Sequence, residues 1–192
     1  MRSSLVFSVV VSLGLAACGD NERPPIDYTD PKGGVLRLVK NNHETTADEI
    51  VLDLVVGSQP VTGYSVGFDL PIPGHQVQLT GFEPGHALEA GKTPVAARAV
   101  IPSSGPLANI LVTGQSQKAA GEGAVATDTV LAPKSVLYTI HLARVPGAAV
   151  GVVFDGTASD FVLPSGGLRD RAGTTVVEAK DVAIGKLEIL KK

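Results

Sequence analysis

The feature that most limits how this chain can fold is an alternation of apolar and polar residues in short runs bounded by turn signals. Tyr64, Val66, Phe68 and Leu70 alternate with Ser65, Gly67 and Asp69. Val136, Tyr138, Ile140 and Leu142 form a second such set, with His141 on the opposite face. Successive side chains of an extended strand point to opposite sides, so this period of two predicts strands buried on one face. Ile50, Leu52, Leu54 and Val56 share a face in a third run, and Asp53 points the other way. Further runs are expected over 34–40, 76–82, 95–101, 107–113, 150–154 and 182–190. Shorter apolar pieces stand at 161–163 and 174–177. The 22 Gly and 13 Pro are dispersed between these runs, as turns between strands require. Pro71 and Pro73 close the run that holds Phe68. Gly114 to Thr129 is small and polar and reads as a long loop. Residues 86–91 allow at most one helical turn, and no convincing amphipathic helix is present. About nine strands at this spacing predict an all-β fold, an antiparallel β-sandwich with one wet and one buried face per sheet.

The N-terminus carries a different signal. Arg2 is followed by an apolar run from Leu5 to Leu15, then Ala16, Ala17 and Cys18, the single cysteine. At about 11 residues the run is too short to cross a hydrocarbon core as a helix, and it has the layout of an export signal. Leu15-Ala16-Ala17-Cys18 resembles a bacterial lipobox. The resemblance implies cleavage between Ala17 and Cys18 and a covalent diacylglycerol on Cys18, with no other cofactor expected. A lone thiol in an oxidising compartment otherwise wants an explanation. The domain reading is therefore a signal peptide over 1–17, a lipidated N-terminus and flexible tether over 18–31, and a folded domain over 32–192. The tether rests on Gly19 to Pro25, rich in polar and proline residues. In lipoproteins of diderm bacteria, Asp directly after the lipidated cysteine tends to retain the protein at the inner membrane. Gly19 stands there in this chain, so the resemblance points to the outer membrane of the cell envelope.

Composition excludes some roles. The chain holds 16 Lys+Arg against 19 Asp+Glu, which gives no basic footprint for nucleic acid. Tryptophan is absent and aromatics make up 4% of residues, too few for the ring-lined surface common in sugar binding. Gly63-Tyr64-Ser65-Val66-Gly67 fits Gly-x-Ser-x-Gly, but a nucleophile Ser65 would need a strand-to-helix turn, and Ser65 lies inside an alternating strand. His75, Glu83, His86 and Glu89 could supply zinc ligands, yet their spacing matches no compact ligand pattern. Asp155, Asp160, Asp170 and Asp181 could supply oxygens for calcium, but the spacing is not that of an EF-hand loop. Local turn hydrogen bonding is the simpler reading of these aspartates. No catalytic residue and no metal site is assigned, ligand-binding residues stay open, and no enzyme activity is expected.

A family resemblance lies in the body of the chain. The segment from Val61 to Pro71 resembles the cohesin segment with a glycine, an alternating strand and an aromatic-Asp-Pro turn. Val77-Gln78-Leu79 resembles the strand after it, and Pro84-Gly85-His86-Ala87-Leu88 the following Gly-x-x-Leu step. Val152-Val153-Phe154 with Gly185-Lys186-Leu187-Glu188-Ile189 resembles the cohesin close. Leu70, inserted between Asp69 and Pro71, departs from the pattern, as does the long segment 114–129. The resemblance implies a nine-stranded jelly roll, related to carbohydrate-binding modules, that binds a partner on an outer sheet. By analogy the partner is of the dockerin type. The function expected is a membrane-anchored, non-catalytic protein-binding or structural module. A carbohydrate-binding module for polysaccharide is the alternative, and an envelope hydrolase ranks last.

Overall fold

A computed structural model describes residues 26–89, 95–118 and 127–191. The leader, with Ala17 and Cys18, lies outside them. The described chain is all-β, and its sole helical turn is the 3-10 segment Ala179–Asp181. The strands, in chain order, are β1 (Ile26–Thr29), β2 (Leu36–Lys40), β3 (Glu49–Val56), β4 (Val61–Gly63), β5 (Ser65–Pro71), β6 (Val77–Pro84) and β7 (Val95–Val100). They continue as β8 (Ile110–Gln117), β9 (Thr129–Leu131), β10 (Val136–Arg144), β11 (Gly151–Asp155), β12 (Gly166–Arg169), β13 (Thr175–Glu178), β14 (Val182–Ala183) and β15 (Lys186–Ile189).

Two five-stranded sheets carry the structure, ordered β14-β2-β3-β10-β6 and β13-β12-β5-β8-β7. All pairings are antiparallel except β14 with β2. A three-stranded sheet β1-β15-β11 and the pair β4-β9 complete the set. The inner faces of the two large sheets meet in one core, as in a β-sandwich. Leu38, Leu52, Leu54, Ile140 and Leu142 come from one side, and Val66, Phe68, Leu70, Leu111 and Leu168 from the other. The Phe68 and Tyr138 rings lie 6.0 Å apart across the gap. Burial raises the Tyr138 phenol well above its ordinary range, and its oxygen sits 2.6 Å from Thr113 Oγ1.

Among the described residues fifteen strands stand where nine were expected, and their number and extent differ for three physical reasons. First, expected continuous runs are broken. Tyr64 separates β4 from β5; it is half-buried, and its hydroxyl donates to the Gln117 carbonyl, 3.2 Å away, instead of joining the core row. Ile184 and Gly185 separate β14 from β15, so the last run passes from one sheet to another. Second, β8 extends through Gln117, four residues into the expected loop. Thr113, Gln115 and Gln117 face inward there and are buried. A polar inward row gives no apolar alternation to read. Third, β9 and β12, three and four residues long, are too short to show an alternation.

Part of the stretch expected to be tether belongs to the sandwich. Ile26–Thr29 is a strand paired with β15, and Ile26 and Tyr28 are buried in the core. The Tyr28 hydroxyl donates to the Leu38 carbonyl at 2.9 Å and accepts from the Gly185 N–H at 2.6 Å. Gly185 is required at that point: a Cβ there would stand 2.0 Å from the Thr29 carbonyl oxygen and 2.7 Å from the Tyr28 ring. The described fold thus reaches back at least to Ile26, ahead of the expected boundary at residue 32.

A bulge decides which face Phe82 takes. β6 pairs with β10 through His141↔Gly81 and then Leu142↔Leu79, leaving Thr80 unpaired. The extra residue reverses the alternation. Val77 and Leu79 face the core before it, and Phe82 faces the core after it, 5.2 Å from the Tyr138 ring.

Candidate functional site

The outer face of the β13-β12-β5-β8-β7 sheet holds a shallow trough of about 520 Å³. Its floor follows from register. Gly167, Gly67, Gly114 and Arg98 stand side by side across β12, β5, β8 and β7. The next row along the strands is Arg169, Ser65, Ser116 and Ala96. On the other side Asp69 accepts from the Ser165 hydroxyl at 2.8 Å. The trough exists because the row that crosses the sheet has almost no side chains.

The glycines differ in why they are there. A Cβ on Gly67 would meet the Thr113 carbonyl oxygen at 2.5 Å, and one on Gly167, at φ +136°, would meet the Val177 carbonyl oxygen at 1.9 Å. Both are imposed by the fold. A Cβ on Gly114 would meet nothing within 4 Å. A strand-interior glycine costs roughly 0.5–1 kcal/mol relative to alanine. Packing gives no reason for that cost at Gly114; an open floor does. Arg98 and Arg169 line the trough, with Asp69 as its acid. Arg169 Nη1 donates to the Gly173 carbonyl at 3.0 Å. The surface can recognise shape and carboxylates; its lining supplies no histidine, lysine or carboxylate pair for proton transfer.

Ser65 lies on this face, inside β5, opposite Ser116 on one side and Arg169 on the other. It is not on a strand-to-helix turn. The residues considered for zinc are separated. His75 stands before β6 and His86 after it, so they sit at opposite ends of that strand. His86 Nδ1 meets Glu89 Oε1 at 2.9 Å on the surface. Of the aspartates, Asp155 Oδ1 accepts from the Thr157 N–H at 2.9 Å and its hydroxyl at 2.6 Å, and Asp170 Oδ1 accepts from the Thr174 N–H at 2.7 Å. These are turn hydrogen bonds, and the two from Thr157, the hydroxyl first, hold the Asp155 carboxyl below its ordinary range. Asp160 and Asp181 join neither of these hydrogen-bond sets. Among the described residues no three His, Cys, Asp or Glu side chains gather as a metal site would need.

A polar group missed from the sequence occupies the outer face of the other large sheet. His141 Nδ1 stands 3.1 Å from Glu49 Oε2 on the neighbouring β3, and Nε2 stands 3.7 Å from Glu83 Oε1 on β6. Thr80, the residue extruded by the bulge, donates its hydroxyl to Glu49 Oε1. That bond, helped by His141, holds the Glu49 carboxyl below the usual glutamate range against the opposing effect of burial. One pair further along, Thr139 donates to Asp53 Oδ1 at 2.6 Å, yet burial dominates and raises the Asp53 carboxyl. The outward direction of His141 and Asp53 was legible from alternation. Their partners depend on strand order and on the bulge, which a single sequence does not display.

In comparison with known proteins, no family model, no curated protein and no solved structure matches the chain. Among the described residues no helix is long and apolar enough to cross a membrane.

Proposed function

We propose that this chain is a lipid-anchored envelope protein whose β-sandwich is a non-catalytic protein-binding module, held to the membrane by a diacylglycerol on Cys18. The anchor rests on the Leu15-Ala16-Ala17-Cys18 motif behind its apolar leader. A cohesin-like jelly roll is the finer form of the fold. The parallel β14–β2 pair supports it, because it sets a late strand beside an early one at the edge of one sheet.

The observation that carries the binding reading is Gly114, a glycine that neither crowding nor backbone conformation demands, at the floor of a trough flanked by two arginines. The aromatic side chains favour a protein partner over a polysaccharide. Tyr28, Phe68, Tyr138 and Phe154 are buried, and Phe82 and Phe161 pack against the core. A flat sugar would find no row of rings on the described surface.

The test is a tryptophan at the open position. Gly114→Trp has room at its Cβ and fills the trough, so its circular dichroism should match the parent. Immobilised parent domain should retain an envelope protein that Gly114→Trp and Arg98→Glu both lose. Equal retention by all three would remove the trough from the function. Retention of a polysaccharide by the parent on a glycan array would favour the carbohydrate-binding alternative.

A further inference from the structure

The two ends of the sandwich differ in charge. One end is built by the connections 72–76 (Ile-Pro-Gly-His-Gln), 101–109 (Ile-Pro-Ser-Ser-Gly-Pro-Leu-Ala-Asn) and 145–150 (Val-Pro-Gly-Ala-Ala-Val). None of the three contains Asp, Glu, Lys or Arg, and the one guanidinium bonded to them among the described residues, Arg144 at the end of β10, donates to the Ala148 carbonyl. They are tied into one surface. The Ile72 N–H donates to the Asn109 carbonyl at 3.0 Å, and the Val145 N–H donates to the Gln76 carbonyl at 2.9 Å. The Gly74 N–H adds a bond to Asn109 Oδ1 at 3.2 Å. Leu107 and Val150 project from this surface, 42% and 56% exposed. A fourth connection at this end, 41–48, carries His43, Glu44 and Asp48 and marks where the uncharged surface stops. The opposite end is charged: Asp128 Oδ1 accepts from the Arg171 N–H at 2.7 Å, and Asp170 and Lys134 stand in its turns.

The first described strand begins at the uncharged end. Ile26 pairs with Ile189, which pairs with Gly151, the residue directly after Val150. Lys191 follows at the same end. Eight residue steps separate Cys18 from Ile26, a reach of at most roughly 29 Å. A compact domain of this size has a radius of gyration of about 15 Å, hence a breadth of about 40 Å. The tether is therefore shorter than the body it would have to pass to bring the charged end to the bilayer.

We propose that the uncharged end, formed by loops 72–76, 101–109 and 145–150, rests on the surface of the bilayer to which Cys18 is attached. Leu107 and Val150 enter the headgroup region, where apolar side chains gain by leaving water, and Lys191 faces anionic lipid. The strands then stand away from the membrane, and the Gly114 trough opens sideways, clear of the lipid. This inference rests on the lipid-anchor reading.

The test uses the lipidated full chain in phosphatidylethanolamine–phosphatidylglycerol vesicles that contain a nitroxide-labelled quencher lipid. Cys18 is the single cysteine and is blocked by its thioether, so an introduced thiol takes a fluorophore uniquely. Leu107→Cys and Val150→Cys should lose most of their fluorescence, while Ala172→Cys, exposed in the turn at the charged end, should lose none. Adding Val150→Asp to Leu107→Cys should restore fluorescence at 107. Equal quenching at all three sites, or stronger quenching at 172, would overturn the orientation while leaving the anchor intact. An intact mass without diacylglycerol would instead defeat the anchor reading, and the orientation with it.

Discussion

Phe68 is 2% exposed, beside Tyr138, with its N–H bonded to Thr113 Oγ1 at 3.2 Å. Truncating a buried Phe to Ala leaves a cavity and costs roughly 3–5 kcal/mol. Phe68→Ala should show that loss in denaturant unfolding; a loss below about 1 kcal/mol would place Phe68 on the wet face. The polar groups on the outer face of the other sheet give a signed pH expectation. The Glu49 carboxyl is depressed, so its contribution is full above the ordinary glutamate value and is lost as pH falls through its folded value. The Asp53 carboxyl is raised, so its penalty is present at neutral pH and is relieved as pH falls through its folded value. Stability measured from neutral to acid pH should therefore fall less steeply in Glu49→Gln than in the parent, and more steeply in Asp53→Asn. The same direction of change in both variants would contradict these environments. The core residue was legible from its own strand, because alternation is local. The Glu49–His141–Glu83 contacts were not, because they join residues from β3, β10 and β6.

At the scale of elements, β1 is the sharpest case. Its four residues follow a polar, proline-containing stretch and look like the end of a linker. They form a strand because β15 offers an edge and the core offers Ile26 and Tyr28 a place. A fragment from Pro24 should fold alone. One from Pro31 should melt markedly lower, having lost Ile26, Tyr28 and the bond that Tyr28 gives Leu38. Equal melting curves would mean that β1 is dispensable. β8 teaches a related lesson from the opposite direction. Its inward Thr113, Gln115 and Gln117 find partners in Tyr138, the Gly85 carbonyl and Thr129, so polarity there reflects hydrogen bonding inside the sandwich and not a loop. The trough glycines separate fold from function within one sheet. Gly67→Ala should destabilise, since its Cβ collides with backbone, whereas Gly114→Ala should be neutral or stabilising by roughly 0.5–1 kcal/mol. Paired thermal melts of the two variants decide this, and a large loss at Gly114 would give that glycine a packing role.

For the whole molecule, the all-β class and the face-to-face sheets could be read from alternation and turn spacing, while strand number and sheet order could not. Breaks at Tyr64 and Ile184–Gly185 are set by how strands change partners, and the short β12 and β13 take their place from β5, the neighbour that β12 pairs with. The functional reading joins two parts of the chain, an anchor written in residues 15–18 and a sandwich with an open trough, across a tether of eight residue steps. The most direct measurement is the intact mass and membrane partitioning of the protein expressed in a lipoprotein-processing bacterium, as parent and as Cys18→Ser. The expected parent begins at Cys18, carries the added diacylglycerol mass and partitions into the detergent phase, while Cys18→Ser lacks the lipid mass and does not. A parent that retains residues 1–17, or a Cys18→Ser form that partitions like the parent, would contradict the anchored module.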